Sequence, residues 1–527
     1  MLGNAEFILI CLIAIGVLAI LARKIRIPYP ILLTIGGVIL ALIPGIPAIH
    51  LDPQLVFSLF LPPLLYPAAV FTSWRDFRSN LRPILFLAIG LVLLTMSTVG
   101  YLFHYWAGLP LAVGFVFGAI ISPPDAVAAL AITRNLRVPR RIVVILEGES
   151  LVNDATSFIS FRFAVAAVMT GNFSLGQATG QFFVVAIGGI GVGLAVGWLA
   201  TQVQKRLDDP SVQTMFSLLT PYVAYFGGER AHVSGILAVV VAGLYYGWQA
   251  PRILSGRMRL QAVPVWEMVV FVLNGVLFML IGLELPQVIH ALPASSSIRM
   301  ARLAILAVST IVLVRFVWMF GASYFTCLLS RFFQQEEHIP WQHTALLAWT
   351  GMRGADSLAG ALAIPLVLPN GEPFPGRNLI LLLTFCVIFG TLVLQGLTLS
   401  PLIAWLGVVD DRVTDKEERL ARLKANEAAL ARLESLHSAN RSRPEIAERL
   451  RSEYLDRIRQ LRGQGAPEES VSRLFSPDFE ELAREALRTE RETVLQLRND
   501  EAISDQALHR IQRDIDLAEA RLQRRPA

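Results

Sequence analysis

Charge is what this chain has least of: Asp, Glu, Lys and Arg make up 17% of its 527 residues, while 54% are hydrophobic. Soluble chains carry about a quarter charged residues, so the deficit argues against one water-soluble globule. It is also uneven. From Met1 to about Gly407 apolar blocks follow one another, and from Asp410 the chain is dense in Arg, Glu, Leu and Ala. The sequence therefore predicts a lipid-embedded domain over 1–407 and a charged helical tail over 408–527. Cysteine is scarce too: Cys11, Cys327 and Cys386 lie inside apolar blocks without metal-ligand spacing and read as small core or lipid-facing residues. There is no Gly-x-Ser-x-Gly turn, and the 8 histidines lie mostly at loops and span ends. That sets aside a hydrolase built on Ser150. Net charge is +5, but its basic residues sit in short clusters between apolar blocks or alternate with acids along the tail. Membrane topology explains such a pattern and a nucleic-acid partner does not. A cleavable leader is not expected, because the first apolar block lacks a basic start and ends in Arg23, Lys24 and Arg26.

What the sequence has in abundance is spans. A transmembrane helix needs about 20 mostly apolar residues, and the chain divides into about thirteen such blocks. They centre on Ile15, Gly37, Leu61, Val92, Ala119, Asp154, Ile190, Pro221, Val240, Leu277, Val312, Gly354 and Thr391. With the amino terminus outside, the loops on the cytoplasmic side hold the clusters around Arg23, Arg75, Arg140, Lys205, Arg252 and Arg331. The outer loops hold only Arg230, Arg299, Arg302 and Arg377. Basic residues thus favour one side by about four to one, as the positive-inside rule requires. An odd span count leaves the tail in the cytoplasm.

Two blocks break the rule that backbone in lipid stays hydrogen-bonded. The fifth carries Ser122-Pro123-Pro124-Asp125 mid-span, and the twelfth carries Gly351-Met352-Arg353-Gly354-Ala355-Asp356. If spans one to six and eight to thirteen are two halves joined by the seventh, these breaks correspond. Matching interruptions in inverted halves point to a transporter's substrate site near the midplane. The expected fold is all-α: two inverted six-helix repeats with crossed broken helices, plus the helical tail.

The sixth span holds the acids. Glu149 and Asp154 lie deep in it, where a bare charge costs on the order of 3 kcal/mol. Helical spacing puts Ser150 and Asp154 on one face, and Glu149 and Asn153 on the next. A hydroxyl and a carboxylate form a hard-oxygen pair suited to an alkali cation. A dehydrated carboxylate is neutralised either by a proton or by a cation, so the two compete for the same oxygens. With Asn153 in place of a second acid, one carboxylate titrates, which favours one-for-one electroneutral exchange. Arg353 is placed opposite Glu149 as a bracing ion pair; Arg315 and Arg162 are further buried cations, Arg162 with a structural role. Asp356, three residues beyond Arg353, is an additional acid. No cofactor is expected beyond the transported ions.

The run Glu147-Gly148-Glu149-Ser150-Leu151-Val152-Asn153-Asp154 resembles the signature of sodium/proton exchangers, the electroneutral branch of the monovalent cation:proton antiporters. Leu61-Pro62-Pro63-Leu64-Leu65-Tyr66, Asp125-Ala126-Val127-Ala128, Leu273-Asn274-Gly275 through Gly282-Leu283-Glu284-Leu285-Pro286, and Gly351-Met352-Arg353-Gly354 agree in order. The resemblance spans the membrane part. It implies a homodimer in the cell inner membrane that serves pH homeostasis and moves in an elevator-like way. It also implies that Asp154 binds the ion, with Ser150, the backbone near Pro124 and Asp125 assisting. Pro67 stands where many bacterial members carry an acid, and Ala126 follows Asp125 where Pro is common; both bear on ion choice. Potassium/proton exchange is the neighbouring alternative, and a gated cation channel the alternative of another class. In the tail, Leu423, Leu430 and Leu433, with Leu420 at the edge, suggest a buried stripe. Breaks at Arg443-Pro444, at Gly463 to Pro467 and at Phe475 to Asp478 suggest about four amphipathic helices.

Overall fold

Apolar runs of this length satisfy their own backbone only as helices. The computed structural model describes residues 4–25, 29–43, 56–125, 138–171, 175–290, 297–333, 340–408, 413–438, 444–462 and 477–523. Among them the order begins α1 Asn4–Ile25, α2 Tyr29–Ala41, α3 Leu61–Phe71 and the short α4 Trp74–Ser79. It continues with α5 Leu81–Ala107, α6 Leu111–Ile121, α7 Arg140–Thr170, α8 Leu175–Gln204, α9 Pro210–Arg230 and α10 Gly235–Ile253. Next come α11 Gly256–His290, α12 Ser297–Phe333, α13 Trp341–Trp349, α14 Ala355–Leu362 and α15 Arg377–Leu406. The tail supplies α16 Val413–Ser438, α17 Pro444–Arg462, α18 Pro477–Asn499 and α19 Asp505–Gln523. The expected all-helical class is the one adopted. Arg26, Arg134, Arg137, Ala126 to Ala128, Arg443, Phe475 and Gly463 to Pro467 lie outside the described residues.

Among the described residues, six helices are long and apolar enough to cross a membrane: Leu81–Ala107, Arg140–Thr170, Gly180–Gln204, Gly256–Pro286, Ile298–Tyr324 and Arg377–Leu406. Their outer faces are unusual for water. Val184 is 68% exposed, Val317 68% and Met268 61%, on helices whose inner faces join one apolar core running from Cys11 to Val408. Lipid is the solvent in which such a surface is stable. Small residues bring the helices together where packing rather than water expulsion drives association. On α2, a side chain at Gly37 would run into Met279 O and the Gly282 backbone of α11.

In the tail the stripe differs from expectation. Leu420 is exposed, and the buried face of α16 is Ala421, Ala425, Ala429 and Leu433. The reason is crowding: α16 packs against α17, α18 and α19 together, and alanine lets three helices approach one face. About four tail helices were expected, and the described tail has four. Their last break, however, falls at Asp500 to Ser504, where Glu501 takes φ 57°; Pro477 and Asp478 begin α18 instead.

The tail seats on one end of the bundle through charge. Arg259 on α11 donates to both carboxylate oxygens of Asp516 at 2.8 and 2.5 Å. Arg75 donates to Ile503 O at 2.7 Å, and Arg252 to Asn499 at 2.7 Å. Arg140, at the start of α7, pairs with Asp76 and with Glu417 of α16. Four arginines from three basic loops, assigned by sequence to one side, thus meet the tail at one end.

Asp505 opens α19, accepts from Ser73 Oγ at 2.7 Å and pairs with Arg498 at 2.8 Å. Burial pushes its carboxyl up, but the Ser73 hydrogen bond and Arg498 outweigh burial and hold it below the ordinary 3.8. A folded pKa held low contributes stability that is present above that ordinary value and lost as pH falls through the folded one. Acidification below about pH 4 is therefore expected to release the α18–α19 end from Ser73. Hydrogen exchange of Ile503 to Leu508 across that range checks it; protection unchanged in wild type, or equal in Asp505→Asn at neutral pH, contradicts it.

Candidate functional site

The two interrupted spans meet. Helix α6 stops at Ile121, where Pro123 and Pro124 withdraw two backbone donors. Helix α13 stops at Trp349, and α14 restarts at Ala355 after Thr350 to Gly354. The breaks are joined backbone to backbone: the Asp125 N–H donates to Met352 O at 2.8 Å. Each stopped helix leaves carbonyls without partners. Arg353 supplies donors to them, Nε to Ile121 O at 2.6 Å and Nη1 to Gly351 O at 2.6 Å. Its own N–H donates to Thr391 Oγ1 of α15 at 3.1 Å.

That use of Arg353 corrects the expected ion pair. Glu149 is instead held by Arg315 of α12, Nη1 to Oε1 at 2.5 Å and Nη2 to Oε2 at 2.9 Å, with Nε on Leu347 O at 3.1 Å. Both side chains are 1% exposed. The fork geometry satisfies two charges with parallel bonds, while the guanidinium of Arg353 is consumed by the carbonyls the breaks create. Arg162, expected to be buried, is exposed on α7 and pairs with Glu229 at 2.7 Å.

Asp154 lies at this crossing, 2% exposed, and its Oδ1 has no hydrogen-bond partner among the described residues. It faces a cavity of about 580 Å³ lined also by Ser150, Asp125, Asp356, Glu147, Asn274, Tyr29 and Glu267. Ser150 and Asp154 share that wall of α7, as their spacing predicted. Asn153 turns away from the cavity, its Nδ2 3.5 Å from Pro124 O, so amide and carbonyl tie α7 to the broken helix. Ser157 adds a bond to Ala119 O at 2.6 Å. Asp125 projects over the start of α14: a side chain on Gly354 would run into its Oδ2. Gly354→Ala is accordingly expected to cost about 1–3 kcal/mol by overpacking and to depress exchange. A thermal-unfolding midpoint equal to wild type would contradict this.

Sequence reasoning did not single out Tyr29, Asn274 or Glu267 as site residues. Glu267 had a signal, since it is the lone acid in the apolar run from Leu260 to Gly282. Asn274 lay in one of the motifs shared with the exchangers but was given no role; Tyr29 had no signal, because only packing of α2 and α11 brings it to the wall. A second cavity of about 420 Å³ shares Phe71, Val263, Trp266 and Glu267 with the first and extends to Gln512, Arg513 and Asp516 of α19. The acidic cavity therefore faces the end that the tail covers.

Broken helices that meet beside a buried carboxylate, one of whose oxygens has no partner among the described residues, define a secondary ion transporter. The chain belongs to the transmembrane sodium/hydrogen exchanger family, whose pattern matches residues 8–405. It is 34% identical over 544 residues to the uncharacterized Na(+)/H(+) exchanger YjcE of Escherichia coli K12, covering 98% of each chain. It is 33% identical over 515 residues to the uncharacterized Na(+)/H(+) exchanger Rv2287 of Mycobacterium tuberculosis H37Rv, covering 97% of this chain and 94% of the other. A sodium, potassium, lithium and rubidium/H(+) antiporter of Bacillus subtilis 168 is 35% identical over 410 residues, 75% of this chain and 61% of that one. Among solved structures, the sodium proton antiporter MjNhaP1 of Methanocaldococcus jannaschii superposes with a TM-score of 0.61 at 19% identity, over 75% of this chain and 97% of the other. That likeness establishes the shared fold.

Proposed function

We propose that this protein is a secondary antiporter that exchanges sodium for protons by alternating access, with Asp154 as the shared site. The observation that carries the reading is the placement of Asp154: buried, with an unpartnered oxygen, in a cavity at the crossing of two broken helices. Ser150 provides a second oxygen for the cation, and Asp125 stands close enough to act through water. Asn153, the Pro124 carbonyl and the Glu149–Arg315 pair brace the wall. Counted along α7 alone, Asn153 beside Asp154 gives one-for-one, electroneutral exchange.

The chain divides into a membrane antiporter domain over 1–407, crossing about thirteen times as two inverted six-helix repeats, and a cytoplasmic helical tail over 408–527. The amino terminus lies outside, and the clustered arginines under the tail support that sidedness. The cavity then opens inward. A homodimer in the inner membrane, serving pH homeostasis, is the assembly that the family membership supports.

Reconstituted protein tests the reading. A pH gradient is imposed across proteoliposomes, and sodium, lithium or potassium is added in turn. Sodium is expected to dissipate the gradient. Potassium alone doing so would favour potassium/proton exchange, and cation flow without proton counter-movement would identify a channel.

A further inference from the structure

The cavity at Asp154 and the cavity under α19 share four lining residues, and Glu267 is the ionisable one among them. Helix α11 sets its depth. At Gly256, the first residue of α11, a side chain would meet Asp516 of the tail. Glu267 follows about three turns deeper, and Asn274 stands about two turns beyond it. Seven residues return to the same face of a helix, and both side chains line the Asp154 cavity. An acid in an apolar run is ordinarily costly and turns to an interface. Glu267 meets that cost by lining both cavities: it is exposed, and it has no ion pair or hydrogen bond among the described residues.

The cavity under α19 adds a second, independent observation. Tyr246 and Gln512 line it, 3% and 1% exposed. The Tyr246 hydroxyl and both polar atoms of the Gln512 amide have no hydrogen-bond partner among the described residues. Buried polar atoms of this kind are satisfied by water or by a ligand, so the passage from the tail holds oxygens that can replace part of a cation's hydration shell. The cations at this mouth are unevenly committed. Arg259 is held by Asp516, and Arg510 by Asp415 and Glu418. Arg513 lines the same cavity and forms no ion pair among the described residues.

Given the exchange reading of Asp154, on which this inference rests, we propose that Glu267 is a separate cation-capture site on the tail side. It is loaded before Asp154, and Arg513 is the tail charge that opposes it. A sodium ion entering beneath α19 is drawn to the Glu267 carboxylate, with the Tyr246 and Gln512 oxygens along its path. From there it passes along the α11 wall into the cavity that holds Asp154. Glu267 carries no proton across and stays outside the exchange count. Its field draws sodium and protons alike, so it alters how readily the site loads from one side and leaves the balancing gradients unchanged.

Membrane vesicles of both orientations, bearing the full-length protein, test this. Everted vesicles present the tail side to the medium, and right-side-out vesicles present the other. The tail side is held alkaline, so that protons compete little with sodium there. In everted vesicles Glu267→Gln is expected to raise half-saturating sodium about tenfold while still reaching the wild-type rate at saturating sodium. In right-side-out vesicles its half-saturation should equal that of wild type. Glu267→Asp, which keeps the charge, should stay near wild type on both sides. Arg513→Glu, which replaces the opposing charge by an acid in the same cavity, should lower the tail-side value. A merely structural Glu267 would instead depress the maximal rate, or shift both sides together. Either result overturns the inference while leaving exchange intact, as does an unchanged tail-side value in Glu267→Gln. Should Glu267→Gln not fold, an unchanged tail-side value in Arg513→Glu overturns it as well. Wild type without sodium-driven proton movement sinks the exchange reading itself, and this inference with it.

Discussion

Asp154→Asn is expected to abolish sodium-driven proton movement while leaving the protein folded. The variant keeps side-chain volume and removes the group that a proton and a cation contest. The carboxylate makes no ion pair among the described residues, and its Oδ1 has no partner there, so little of the fold rests on its charge. Asparagine offers an amide oxygen to a cation but no exchangeable charge, so ion release would no longer be coupled to protonation. Proteoliposomes bearing the variant should hold an imposed pH gradient on sodium addition as well as empty vesicles do. Elution as a single peak and a thermal-unfolding midpoint near wild type establish that the loss is functional. Exchange persisting in the variant would move the shared site off Asp154, with Asp125, Glu147, Glu267 and Asp356 the other acids lining the cavity among the described residues.

The second large effect concerns stability. Arg315→Ala leaves Glu149 buried without its counter-charge, and breaking such a pair costs about 3–5 kcal/mol. That is a large fraction of the stability of a typical protein, so the variant should be recovered in low yield with a sharply lowered unfolding midpoint. Replacing both partners, as in Glu149→Leu with Arg315→Met, removes the charge along with the need for it and should recover much of the loss. Arg353→Ala should behave differently. It strands the Ile121 and Gly351 carbonyls, and no change at Glu149 can repair that. If Glu149→Leu rescues Arg353→Ala and not Arg315→Ala, the pairing is other than the one described.

These two cases mark where local reading succeeds. The face shared by Ser150 and Asp154 follows from a helical period that nothing else in the fold alters. The breaks at Pro123-Pro124 and at Gly351 to Gly354 were legible because proline and glycine act on their own backbone. The partner of Glu149 was not legible. Arg315 stands 166 residues away in sequence, and spacing along one helix says nothing about which face of another helix meets it. The preference for Arg353 failed for a related reason: its charge was visible, but the carbonyls that consume its donors exist only once the helices stop.

The sequence by itself determined that this chain lives in lipid, that it is all-α apart from its breaks and connecting loops, and that an acid sits where lipid makes charge costly. Each of these depends on hydrophobicity and on a period of a few residues. Tertiary structure decided which buried arginine neutralises Glu149, that Asp125 and Asp356 face the same cavity as Asp154, and that the tail's acids seat on the arginines of the basic loops. Those outcomes depend on contacts between helices distant in the chain, which packing and electrostatic neutralisation select and no local pattern encodes.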